Sequence, residues 1–183
     1  MVFSTLPFVY GFFPVVFVLY FIWNNRAWRN AVLLAASLVF YAWGEPRLLD
    51  LMLLATMEAY VGGLLMERWK DDPKRKKTAF TVTVVLLAAN LFVFKYLNFA
   101  ADNLNLLLRG RLDLPEIALP IGISFYTFQI LSYAIDLYRG KVAVQRHYFY
   151  LLLYVSFFPQ LIAGPIVRYQ TVEHEIRTRR ETL

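Results

Sequence analysis

The sequence predicts an all-α, polytopic membrane bundle, on three observations. Of its 183 residues, 59% are hydrophobic and 17% aromatic, with a mean hydropathy of +0.49. That is a heavier apolar load than a soluble domain of this size carries. The apolar residues fall into six separate runs. The loops between those runs alternate in net charge, as loops on opposite sides of a bilayer do.

The first run, Leu6–Trp23, has Pro14 as an expected kink. At ~1.5 Å per residue it can reach across a ~30 Å hydrocarbon core. Met1 to Asn25 carries no charge and no small-residue cleavage site, so the run is expected to be a span and not a removable signal peptide. The second run, Trp28–Trp43, is short and ends at Gly44-Glu45-Pro46. The third, Leu48–Met66, contains Glu58. Its Gly62-Gly63 pair points to close helix packing, and Glu58 is expected to pair across helices or stay protonated. The fourth run, Thr78–Leu97, ends near Lys95, which can snorkel to the interface. A loop is expected over Asn98–Glu116. The fifth run is Ile117–Tyr138 and the sixth Tyr148–Val167, which holds Pro159, Gly164 and Pro165. A polar tail, residues 168–183, follows.

Loop charge sets the orientation. Arg26 and Arg29 follow the first run; Glu67–Lys77 carries six basic residues against three acidic; Arg139, Lys141 and Arg146 follow the fifth run. The intervening loops, with Glu45, Asp50, Asp102, Asp113 and Glu116, are net acidic. The positive-inside rule places the N-terminus outside and the three basic loops in the cytoplasm. The tail then conflicts with six simple crossings, because Arg168, Arg177, Arg179 and Arg180 belong on the cytoplasmic side too. The favoured resolution is a re-entrant sixth segment that dips and returns, turning at Phe158-Pro159 or Gly164-Pro165, where proline breaks the helix.

The net charge of +6 is spent in these short loops, and no basic aromatic platform appears, so nucleic acid is not an expected partner. The chain has no cysteine, which removes disulfides and thiol chemistry. Neither a Gly-rich phosphate loop nor a metalloprotease or hydrolase motif appears. His147, in a basic loop, and His174, in the tail, are poor catalytic candidates.

The residues that could carry chemistry lie in the last two runs. On a helix, Gly122, Tyr126, Gln129, Ser132, Tyr133 and Asp136 share about a third of the circumference. Ile123, Ile130, Ala134 and Leu137 lie opposite, toward lipid or other helices. The polar stripe reads either as interhelical hydrogen bonding or as the wall of a substrate tunnel. Asp136, near the cytoplasmic end, is expected to pair with Arg139 three residues on.

Several blocks carry a resemblance. They are Met1-Val2-Phe3-Ser4, Phe40-Tyr41-Ala42-Trp43-Gly44-Glu45-Pro46, Phe94-Lys95-Tyr96-Leu97-Asn98-Phe99, Leu119 through Gln129 (LPIGISFYTFQ), Asp136-Leu137-Tyr138-Arg139-Gly140 and Ser156 through Arg168 (SFFPQLIAGPIVR). In order and along the whole chain, they resemble the membrane-bound O-acyltransferase (MBOAT) family, in its bacterial alginate O-acetyltransferase branch. The resemblance implies a funnel-shaped enzyme of the inner membrane that passes an acyl group from a cytoplasmic donor to a hydroxyl of an exported polysaccharide such as alginate. Acetyl-CoA is a candidate donor, with no tightly bound cofactor and no metal. The implied partners are the lipid bilayer, the polysaccharide acceptor and periplasmic acetylation proteins. The family's general-base histidine lies beyond Leu183, and neither His147 nor His174 matches it. The expectation is therefore a single membrane domain over 1–183, the N-terminal part of a longer fold, with the tail leading into the remainder and no transferase activity by itself. Tyr126, Gln129, Asp136, Gln160, Pro165 and Arg168 are expected to shape the tunnel or acyl-donor region. The competing expectation is a small non-enzymatic membrane protein, such as a transporter subunit or assembly partner.

Overall fold

A computed structural model of the chain describes residues 5–44, 49–107, 122–161 and 167–172. The described residues are all helix and connecting turn, with no strand. A π-helical turn at Phe8–Phe12 leads into α1 (Phe13–Ile22). The irregularity expected at Pro14 thus lies just before it. The proline ring cannot sit against the carbonyl four residues back, and the wider turn accommodates it. The order continues with α2 (Arg26–Gly44), α3 (Leu49–Arg68), α4 (Pro73–Leu107), α5 (Ile123–Tyr138), α6 (Tyr148–Ser156) and the short α7 (Phe158–Leu161).

The helix ends follow local chemistry. The Asn25 side chain accepts the Ala27 N–H at 2.9 Å and caps α2. Asp72 accepts the N–H groups of Lys74 and Arg75, each at 3.1 Å, with Pro73 in the first helical position of α4. At the end of α5, Gly140 adopts φ 71°, and the N–H groups of Gly140 and Lys141 bond to the carbonyls of Leu137 and Asp136. That is a Schellman stop, which glycine makes without strain.

α4 corrects one expectation. The loop expected from Asn98 is helix as far as Leu107, the last described residue of that stretch. No glycine or proline interrupts residues 74–107, and scattered Asp and Asn do not stop a helix by themselves. At ~1.5 Å per residue the helix is about 50 Å long, well beyond a hydrocarbon core. Among the described residues, two helical stretches are long and apolar enough to cross a membrane, Leu49–Arg68 and Pro73–Tyr96; Phe8–Ile22 is apolar but shorter.

α3, α4 and α5 pack on one another, with α6 against α2, α3 and α5. Their core includes Met52, Ala59, Leu87, Ile130, Tyr133, Leu151 and Tyr154. Close approach depends on glycine. A methyl group at Gly62 would overlap the Thr83 side chain of α4, and one at Gly63 would press on Leu137 and the Tyr133 hydroxyl of α5, each at 3.2 Å. Two threonine hydroxyls inside the apolar helices are satisfied locally: Thr56 bonds to the Met52 carbonyl and Thr83 to that of Ala79. A second cluster joins Phe8, Phe40 and Phe158, so α7 is held between the first two helices.

The sixth apolar run is broken. α6 has nine residues, about 13 Å, less than half a hydrocarbon core. It ends at Ser156, and its C-cap, Phe157, stands one residue before the expected Phe158-Pro159 turn. Pro159 takes the second position of α7, where no helical N–H is required. The Phe158 N–H bonds instead to the Ser37 hydroxyl of α2 at 3.3 Å. Gly164-Pro165 lies outside the described residues.

Candidate functional site

α5 packs against α3, α4 and α6, and both of its faces are used. Tyr126, Gln129, Tyr133 and Asp136 are buried, as predicted for an inward stripe. Ile123, Ile130, Ala134 and Leu137 are buried too. Of the two destinations open to that apolar stripe, it takes other helices and not lipid. Phe128 and Ile135 form the exposed edge.

A polar network runs from α5 into the chain on either side of α6. Gln129 Nε2 donates to the Tyr154 carbonyl at 2.9 Å. The Tyr133 hydroxyl accepts the Gln145 N–H at 3.1 Å, and Gln145 Nε2 donates to the Tyr169 hydroxyl at 2.7 Å. The Tyr154 hydroxyl donates to the Val167 carbonyl at 2.8 Å. The Tyr169 ring packs edge-on against Tyr133 at 4.8 Å and Tyr154 at 5.1 Å between centroids. Residues 167–169 are thereby fastened beside the loop that precedes α6. On the α3 side, the Tyr60 hydroxyl donates to the Arg146 carbonyl at 2.9 Å, and Arg146 pairs with Glu67 at 3.0 Å.

Beside this satisfied network lie four buried polar atoms with no hydrogen-bond partner among the described residues. They are the Tyr126 hydroxyl, Gln129 Oε1, Ser156 Oγ and Gln160 Oε1. Tyr126 and Gln129 are one turn apart on α5. Gln129 is tied to Tyr154, two residues before Ser156. An unpaired buried polar group costs about 1–3 kcal/mol, so each of these atoms is a candidate to meet a polar ligand or water. Chemically the set offers hydroxyl donors and acceptors and amide acceptors. It can orient a hydroxyl or a carbonyl, and it contains no group suited to take a proton near neutral pH.

The six residues expected at the site are only partly assembled. Tyr126 and Gln129 stand together; the Gln160 carbonyl oxygen is enclosed although its side chain is half-buried. Asp136 is buried further along α5, and Arg168 is exposed. Pro165 lies outside the described residues. The Asp136–Arg139 pair does not form: Asp136 is 6% exposed, whereas Arg139 is exposed at the helix cap, where the chain turns into Gly140. The ion pairs among the described residues are Asp72–Arg75 and Glu67–Arg146. Glu58 does pair across helices, accepting from Asn90 Nδ2 at 2.9 Å. Sequence reasoning missed Gln145, Ser156 and Tyr169. Ser156 stood inside the quoted SFFPQ block, but Gln145 and Tyr169 meet only through the fold. His147 is exposed, its ring against Tyr150 at 5.4 Å. His174 lies outside the described residues.

Open grooves occur elsewhere. One of about 640 Å³ runs between α1 and α2 along Gly11, Val15, Ala35 and Trp43. Another, of about 440 Å³, lies between α3 and α4. Neither is lined by the six expected residues.

Over its full length the chain is 35% identical to a protein named probable alginate O-acetylase AlgI from Pseudomonas syringae pv. tomato, of which it covers 36%. It is 37% identical to the protein of that name from Azotobacter vinelandii, covering 37% of it. It is 28% identical, over 98% of this chain and 39% of the other, to the peptidoglycan O-acetyltransferase of Helicobacter pylori. The chain thus spans little more than a third of the length of the curated relatives it matches. No family model matches it, and neither does a solved structure. The resemblance to membrane O-acetyltransferases read from the motifs is supported by these relatives.

Proposed function

We propose that this chain is part of a membrane-bound O-acetyltransferase that moves an acetyl group from a cytoplasmic donor to a hydroxyl of an exported glycan. The observation that carries this reading is similarity along the whole chain to proteins named as O-acetylases of alginate and of peptidoglycan. Alginate is the default acceptor and acetyl-CoA the candidate donor, with periplasmic acetylation proteins as partners.

The chain's share of the work is scaffold and orientation. Acyl transfer needs a base to take the proton of the attacking hydroxyl as it adds to the acyl carbon. Tyr126, Gln129, Ser156 and Gln160 offer buried hydroxyl and amide groups that can position such a hydroxyl or the acyl carbonyl, but none of them can act as that base. We assign the base to helices outside residues 1–183, in a longer membrane domain that the tail leads into.

The membrane arrangement belongs to the same proposal: a multi-pass inner-membrane bundle, N-terminus outside, whose sixth segment dips and returns. Three facts support the dip. α6 is too short to cross, the helix breaks at Phe157, and Tyr169 is bonded to Gln145 in the loop before α6. A returning chain also puts Arg168 on the side of the basic loops, where the positive-inside rule wants it.

The test is a graft. Residues 1–183 replace the matching stretch of a full-length alginate O-acetylase in a strain lacking its own copy, and acetyl esters on the exported polymer are measured. The expected result is acetylation by the graft and none by the 183-residue chain alone. A graft that is membrane-inserted and abundant yet leaves the polymer unacetylated contradicts the proposal, as does transfer by the chain alone.

A further inference from the structure

We propose that the basic corner where the end of α3, the start of α4 and the end of α5 meet holds the phosphate headgroup of an anionic phospholipid. Two stretches far apart in sequence build it, Glu67–Lys77 and Arg139–His147. Together they carry nine basic side chains against three acidic. The fold brings them side by side. Arg146 pairs with Glu67 at 3.0 Å. The Lys76 ammonium lies 5.4 Å from the centre of the Tyr138 ring, which stacks on Phe80 at 4.4 Å. Lys76 thereby stands beside the turn that carries Arg139 and Lys141, both exposed. Among the described residues, Arg146 and Arg75 are the members of the nine that are ion-paired, Arg75 with Asp72. Like charges gathered at one corner repel, and an anion among them relieves the repulsion.

Height along the helices decides what the anion is. Leu49–Arg68 and Pro73–Tyr96 are the stretches long and apolar enough to cross a bilayer, and the corner caps the end at which they meet. On α4, Arg75 lies seven residues before Val82 and Lys74 eleven before Val85, so each cation stands over an exposed valine of the same helix face. Lipid tails that cover those valines place their headgroups at the level of the cations. A free anion in water would meet the same charges and leave the apolar face below them unused. The surface as a whole fits a molecule that has both parts, a phosphate head and an apolar tail. Basic clusters of this size at the end of a membrane span attract anionic lipid. This inference needs the chain to sit in a bilayer and does not depend on the acetyl-transfer reading.

Trp69, half-buried between α3 and α4, is a built-in reporter. The full chain is placed in phosphatidylcholine vesicles containing a minor share of phosphatidylglycerol. In one preparation the phosphatidylglycerol is brominated close to its headgroup, in the other an equal share of the phosphatidylcholine. The Trp69 signal is the difference in emission between the chain and Trp69→Phe. Trp69 should be quenched as if phosphatidylglycerol were enriched beside it at least about fivefold, the effect of roughly one cation at a membrane surface. Lys74→Gln, Lys76→Gln and Lys141→Gln together should bring that ratio close to one, while quenching by brominated phosphatidylcholine stays as it was. On the unaltered chain, raising salt from ~0.01 M to ~1 M should weaken the preference, because exposed charges are screened. Inorganic phosphate at millimolar concentration should not displace the lipid. Equal quenching in the two preparations, a preference that survives the three substitutions, or one indifferent to salt overturns the proposal. So does loss of the preference to inorganic phosphate, which would mark a site for a free anion.

Discussion

Gly62 and Gln129 show two ways in which single residues hold this bundle together. Lipid tails are as apolar as leucine, so helices in a membrane associate through close packing and hydrogen bonds. Gly62 supplies the first, because any β-carbon there meets Thr83. Gly62→Ala is expected to destabilise the fold by about 1–3 kcal/mol in reversible unfolding from mixed micelles, the usual cost of overpacking. Thr83→Ala in the same chain should recover most of the loss. Gln129 supplies the second: its amide reaches the Tyr154 carbonyl from α5 to α6. Gln129→Leu should cost roughly 0.6–1.7 kcal/mol in the same assay, the span measured for polar contacts between membrane helices. At this scale the sequence was partly legible. The Gly62-Gly63 pair announced close packing, and Glu58 announced a cross-helix partner. Asp136 misled, since three-residue spacing brings an acid and a base together only when both lie on the same exposed face. Here one is buried and the other sits at a helix cap.

The elements were legible where punctuation is strong and illegible where it is weak. α4 starts at Pro73, five residues before the expected Thr78, because Asp72-Pro73 caps it, and α5 ends as expected at Tyr138, where Gly140 stops it. The end of α4 carried no such mark, so a polar composition was read as loop while the helix ran on. The break in the sixth run was signalled by Pro159, but its anchoring was not: Phe158 packs on Phe8, Phe12 and Phe40, and its N–H meets Ser37, 121 residues earlier. Contacts over such separations leave no local pattern to read. Phe158→Ala is expected to loosen α7 from α1 and α2 and to cost roughly 3 kcal/mol, the lower end for a core phenylalanine. A matched Ser37→Ala should cost less, since it removes little volume: it loses the acceptor of the Phe158 N–H and the hydroxyl's own bond to the Leu33 carbonyl.

At the scale of the whole molecule, the sequence carried the all-helical class and the resemblance to O-acetyltransferases, which the relatives support. The polar site was half legible. Helical periodicity put Tyr126 and Gln129 on one face, but periodicity within one helix says nothing of Gln145, Ser156 and Tyr169, which reach the site from other segments. The proposed function depends on how those segments would be threaded through the bilayer. The proposed dip puts two helix ends, a proline and unpaired polar groups at membrane depth, and such groups persist there only when enclosed by protein or a water-filled cavity. The central claim is that residues 148–167 enter and leave by one face. The chain has no cysteine, so single cysteines placed at the exposed positions Lys141 and Gln170 report without background. In oriented vesicles, a membrane-impermeant maleimide should label both from the cytoplasmic side and neither from the other. Labelling of the two positions from opposite sides would show a full crossing and contradict the account.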